Sequence, residues 1–187
     1  MRTVLVAALA VMASGCVAVP MGAPKASLPV LEELRAGGLP SMQVGRFAPD
    51  PKLKPDKDRS VTIRSWAVSS PQGGSFASHL GATLTANLRA AGKLDPHAAL
   101  VVEGLLTDTD VSSGLPDGHA RLAATFKLVR DGQTVFERPF QVEATWSSTF
   151  IGVEAIPDAT NHFNQLFDQL VLKLVSDPDF KTAAKTP

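Results

Sequence analysis

Side chains along this chain change rhythm several times, and each change marks an element. Val4 to Met12 is an unbroken apolar run. Residues 17–27, VAVPMGAPKAS, mix proline, glycine and alanine with little periodicity, as expected of a tether. Residues 28–38 can hold a short helix, with Ser27 as its cap and Gly37 as its stop. A first strand is expected in SMQVGRF, residues 41–47, followed by a solvated loop over residues 48–60, where three prolines lie among charges of both signs. VTIRSWAV, residues 61–68, alternates apolar and polar positions and reads as one strand.

The clearest helix follows a break at Gly73, Gly74 and Ser75. Phe76, Leu80, Leu84 and Leu88 recur every four residues over 76–91, Ser75 is suited to cap them, and Gly92 supplies the left-handed stop. Three strands are expected next, over residues 99–109, 121–130 and 134–146. The second places Leu122, Ala124, Phe126 and Leu128 on one face, so it is covered on one side only. Asp131-Gly132 predicts a tight hairpin into the third, whose inward positions are Phe136, Phe140, Val142, Ala144 and Trp146. Pro139 cannot donate to a ladder, which places that strand at an edge or at a bulge. A last helix is expected over residues 158–175, capped by Asp158 and stopped by Pro178, with a tail over residues 181–187. The predicted order is β, loop, β, α, β, β, β, α. Its class is α+β, one domain over residues 41–180, with a mainly antiparallel sheet and two helices packed on one face.

Composition agrees with a folded domain, because 44% of residues are apolar and 19% charged. Lys plus Arg and Asp plus Glu both number 18, so no global field points to nucleic acid.

The single cysteine, Cys16, stands directly behind the apolar run and the small residues Ala13, Ser14 and Gly15. With Arg2 as a positive start, the run is too short for the roughly 20 residues that cross a bilayer, and reads instead as the core of a signal peptide over residues 1–15. The order of charge, apolar run, Ala-Ser-Gly and Cys resembles the lipobox of bacterial lipoproteins, with Ala13 where leucine is commonest. The resemblance implies cleavage before Cys16 and its acylation by palmitate-type chains, giving a lipidated N-terminus and tether over residues 16–40 and a membrane partner reached through Cys16. Several acyl chains are needed for lasting anchorage, since burial contributes about 0.8 kcal/mol per CH₂ and one chain holds only marginally. Val17 stands where the family's inner-membrane retention signal would be an aspartate, so the resemblance implies residence in the outer membrane, on its periplasmic face. Removing Arg2 with the signal leaves 17 basic against 18 acidic residues, a net charge near minus one.

The order of elements over residues 41–175 also resembles the small lipoproteins that accompany ABC-type lipid transporters and the periplasmic modules of the Tol and curli-secretion systems. That resemblance implies a non-enzymatic envelope part that binds proteins or lipids, with no cofactor. The alternative is an envelope enzyme whose catalytic groups converge from distant elements. His79, His97, His119 and His162 lack metal-ligand spacing, and a surface or capping role is expected of each. Neither G-x-S-x-G nor G-x-x-x-x-G-K-[ST] occurs. In the acidic stretch 107–119, Asp108, Asp110 and Ser112 alternate as in a calcium loop, but Gly114 falls one place late and His119 stands where glutamate is needed, so no metal site is expected.

One apolar connection remains. In WSSTFIGVEAIP, residues 146–157, the side chains Trp146, Phe150, Ile151, Val153 and Ile156 crowd a short span. They either staple helix to sheet or, where exposed, form a contact site for an envelope protein or a lipid tail, with Trp146, Phe150, Ile151 and Ile156 as the candidates.

Overall fold

The long strands carry the architecture. In a computed structural model that describes residues 19–186, β5 (Leu100–Ser112), β6 (Asp117–Arg130) and β7 (Gln133–Ser147) form an antiparallel meander. Each is longer than expected, β5 at its C-terminal end, β6 at its N-terminal end and β7 at both, because the ladder continues past the alternating core. Asp131 and Gly132 take φ of 48° and 79°, the left-handed pair that a tight hairpin between β6 and β7 requires. β2 (Gln43–Pro49) joins β5 in parallel, giving the order β2-β5-β6-β7. The sheet is therefore mixed, and Pro139 lies on its outer strand as its missing donor demands.

Helices cover one face of this sheet. α3 (Phe76–Ala90) lies over β2 and β5, and α4 (Gly152–Ser176) lies over β6 and β7. Phe76, Leu80, Leu84 and Leu88 are all buried, as are Phe163, Leu166, Phe167, Leu170 and Leu174. Phe76, Phe163 and Phe167 meet in a three-ring cluster, with centroid separations of 5.2, 5.4 and 6.2 Å. Phe47 of β2 fits only because Gly104 and Gly81 carry no side chain, since a Cβ on Gly104 would stand 2.5 Å from its ring.

Among the described residues five helices are present where two were counted in the expected order. α1 (Leu28–Ala36) realises the short helix behind Ser27 and packs Val30 and Leu34 onto α3 and α4. α2 (Pro55–Arg59) lies in the stretch expected to be a solvated loop. Its Asp58 is buried because its carboxylate accepts from the Ala77 backbone N–H at 2.8 Å and the Ser75 hydroxyl at 3.2 Å, doubling the cap that Ser75 gives α3. α4 begins six residues before the expected start, so Asp158 lies inside it and Pro157 removes one of its backbone bonds. Pro178 ends α4 and opens α5 (Pro178–Lys185), because Asp177 caps the new helix by accepting from the Asp179 and Phe180 N–H groups. The expected tail is thereby helical as far as Lys185, and Phe180 is buried against Phe136.

The expected strand over residues 61–68 is a hairpin instead. β3 (Ser60–Ile63) and β4 (Trp66–Ser69) pair antiparallel around Arg64 and Ser65, whose φ values are 46° and 72°. β1 (Val19–Pro20) adds to β4 in parallel, Val19 beside Val68, and completes a second, three-stranded sheet. The expected tether is thus pinned from Val19 onward: the Met21 N–H donates to the Ser69 carbonyl, Met21 is buried, and the Ser27 N–H donates to the Asn87 side chain at 2.9 Å. Cys16, Val17 and the expected signal peptide lie outside the described residues.

Candidate functional site

Two surfaces concentrate unusual chemistry. The first is the end of the molecule where the β3–β4 turn, the β5–β6 loop and the β7–α4 connection meet. One side chain ties them together. Arg64 donates to the carbonyls of Ser113 (3.3 Å) and Phe150 (2.9 Å), to the Thr149 carbonyl, and to the Ser148 hydroxyl at 3.4 Å. The Ser148 N–H donates in turn to the Pro116 carbonyl at 2.8 Å. With its donors so occupied, the guanidinium acts as a structural clip rather than as a charge offered to solvent.

On the surface so assembled, Phe150 is 83% exposed, Val153 79%, Ile151 56%, and Trp66 and Leu115 47% each. Of the seven large apolar side chains exposed among the described residues, only Leu28 and Val135 lie elsewhere, so the patch is local rather than the ordinary scatter of surface hydrophobes. The four candidate contact residues divide. Phe150 and Ile151 are exposed, whereas Trp146 is buried and Ile156 is half-buried against the core. Trp146 lies between Gly118, where a Cβ would stand 2.3 Å from its ring, and His162, whose imidazole stacks on it at 4.5 Å and 14°.

The second surface is a polar pocket of about 340 Å³ between α3 and α4, bordered by residues 22–25. His79 is buried there, not at the surface as expected, because its ring meets Phe167 edge-on at 4.7 Å and its Nε2 lies 3.3 Å from the Asn164 side-chain oxygen. His79 Nδ1 and Asp168 Oδ1 are buried without partners. Burial pushes the imidazole below its usual 6.5, against the opposing bond to Asn164, and pushes the Asp168 carboxyl above 3.8, against the opposing bond to Asn87. The one hydroxyl of the group, on Thr83, donates to the His79 backbone carbonyl at 2.9 Å and so does not give its proton to the imidazole. Sequence reasoning missed this pocket, although its signal was present: His79, Thr83 and Asn87 on one helix, and Asn164 and Asp168 on the other, recur every four residues beside the apolar stripes.

A pH dependence follows from these groups. Between 6.5 and the lower folded value of His79, the unfolded chain binds more protons, so stability must fall as pH drops through this window and level off below it. Asp168 acts with the opposite sign: its folded value is raised, so its contribution recovers as pH falls toward 3.8. Urea unfolding of wild type beside His79→Gln should show the wild-type advantage shrinking as pH falls below 6.5, and a difference constant with pH would falsify the assignment.

The remaining histidines and acids are ordinary. His97 is exposed and His119 half-buried on β6, while His162 stacks on Trp146. Asp108 pairs with Arg121 at 2.7 Å and Asp110 with Lys57 at 2.9 Å, so the two acids that alternate as in a calcium loop are spent in ion pairs. Among the described residues no group of three or more His, Cys, Asp or Glu side chains could hold a metal ion, and no helix is long and apolar enough to cross a membrane.

No family model matches the sequence, and no curated relative does. Solved structures are similar in fold. A Xanthomonas campestris protein of the DUF330 family superposes with a TM-score of 0.61 at 14% identity, over 89% of this chain and 96% of its own. A Caulobacter crescentus protein, provisionally described as a lipoprotein, gives 0.48 at 14% identity over 84% of this chain and 98% of its own. A minor lipoprotein from Acinetobacter baumannii gives 0.40 at 12% identity over 72% and 90%. At these identities the first shows a shared fold, and the other two carry no further argument.

Proposed function

We propose that this chain is an envelope lipoprotein, anchored through Cys16 at the periplasmic face of the outer membrane, that works as a non-enzymatic binding module accessory to assembly or transport. The observation that carries the reading is the apolar end clipped by Arg64: a surface built for contact, held in shape by donors that could otherwise have faced water. The lipobox resemblance at residues 1–16 supports it.

The test is fractionation of cells expressing the full chain together with capture from a photocrosslinker placed at the neighbouring exposed position 153. The mature protein should appear with the outer membrane, Val17→Asp should move it inward, and Phe150→Ala should weaken contact while leaving the unfolding midpoint unchanged. Recovery wholly in the inner-membrane fraction, or capture unaffected by Phe150→Ala, would contradict the proposal.

An envelope enzyme stands as the second reading, and the His79 pocket is the observation that favours it. Because Thr83 is committed to a backbone carbonyl, the nucleophile on that reading would be water activated by the imidazole. A His79→Gln chain of full stability that fails in the cell would support the enzyme; one that works normally supports the module.

A further inference from the structure

The direction in which the described chain begins says what the apolar end faces. β1 runs parallel to β4, with Val19 beside Val68 and Pro20 beside Ser69. Followed backward from Val19, this register leads toward Trp66 and the Arg64-Ser65 turn, the same end at which Leu115, Phe150, Ile151 and Val153 are exposed. Trp66 lies two strand residues beyond Val68, an advance of about 7 Å in that direction.

Only residues 17 and 18 separate Cys16 from Val19. Whatever path they take, three residue steps reach at most about 11 Å. A lipid on Cys16 therefore holds the end of β1 within that distance of the acyl boundary, a length comparable to the headgroup layer itself. A long tether would have let the domain stand clear; this one does not.

We propose that the end formed by Trp66, Leu115, Phe150, Ile151 and Val153 seats in the bilayer surface beside the Cys16 anchor, its side chains entering the headgroup and upper acyl region. The inference rests on the anchor reading above and adds the surface through which the domain itself meets lipid. The side chains suit that depth, since tryptophan favours the membrane interface and Phe, Ile and Val favour the acyl side of it. Charge plays little part. Arg64 is occupied by four oxygen acceptors, and the ionisable neighbours left in these segments are the acids Asp117 and Glu154, so seating is apolar and should be insensitive to salt.

Tryptophan emission reads this directly. The full-length acylated chain carrying Trp146→Phe keeps Trp66 as its single reporter; it is reconstituted into phosphatidylcholine vesicles, with and without lipid brominated at shallow acyl positions. Flotation with the vesicles reports the anchor. In floated protein Trp66 should be quenched by brominated lipid, shielded from acrylamide, and unchanged by raised salt. A second reporter, Gln133→Trp with Trp66→Phe and Trp146→Phe, sits by the β6–β7 turn at the opposite end of the strands and should remain open to acrylamide. A chain that does not float overturns the anchor and this inference with it. One that floats with Trp66 still open to acrylamide overturns the inference alone. Trp66 shielded from acrylamide but not quenched by brominated lipid means that protein, such as a second copy, covers this end, and the membrane assignment falls.

Discussion

Cys16→Ser should abolish incorporation of labelled palmitate and leave the precursor uncleaved. The expected effect is all or none, because the change removes the one sulfur in the chain that can carry diacylglycerol. The energetics make partial retention untenable: at about 0.8 kcal/mol per CH₂, several acyl chains hold a protein for as long as the membrane lasts, whereas the apolar surface of a folded domain gives only a reversible contact. Labelling that persists in the Cys16→Ser chain would refute the lipobox resemblance, and with it the short tether on which the placement of the apolar end depends.

The second large effect is expected at Trp146. Its ring fills the space above Gly118, stacks on His162, and is 8% exposed, so Trp146→Ala empties a core site and should lower stability by about 3–5 kcal/mol. For a domain of this size that is on the order of 10 °C in the unfolding midpoint. Gly118→Ala tests the same contact from the other side, since its new methyl would meet the indole and should destabilise by about 1–3 kcal/mol. Trp146→Phe should be far milder, because the indole N–H is buried without an acceptor and its removal relieves a polar atom left dry. By contrast Phe150→Ala should stay within about 0.5 kcal/mol of wild type, since four-fifths of that side chain already meets solvent. A loss at Phe150 as large as that at Trp146 would mean that the connection staples helix to sheet along its whole length.

That contrast shows what kind of information the sequence held. Trp146 continues the alternation of β7, so its inward place was legible, but the same apolar character at Phe150 and Ile151 carries no phase to say which way they turn. Helix α3 was legible to within a residue, since one stripe, one cap and one stop agree. The β6–β7 hairpin was legible because Asp-Gly announces its own backbone. The β3–β4 hairpin was hidden: Arg64 and Ser65 are poor turn residues, and what stabilises their left-handed backbone is a set of bonds to residues 113 and 148–150, far along the chain. α2 was hidden for a similar reason, since its Asp58 is buried to cap α3 through the Ala77 N–H, nineteen residues later. The early start of α4 was masked by Pro157, which usually opens a helix and here sits inside one. β1 has two residues, too few for any periodicity, and only the neighbouring hairpin makes it a strand.

Pro139 takes on a further meaning once the molecule is confined to a plane. Proteins held on one membrane diffuse in two dimensions with their sheets similarly oriented, so collisions between like edges become frequent. β7 presents fifteen residues along such an edge, long enough to template a partner's strand. A proline near its middle supplies no donor, breaking the run into two short stretches and lowering the gain from any edge-to-edge zipper. If the chain is anchored as proposed, a residue without a donor near the middle of this edge strand would hinder neighbouring copies in one leaflet from zippering edge to edge.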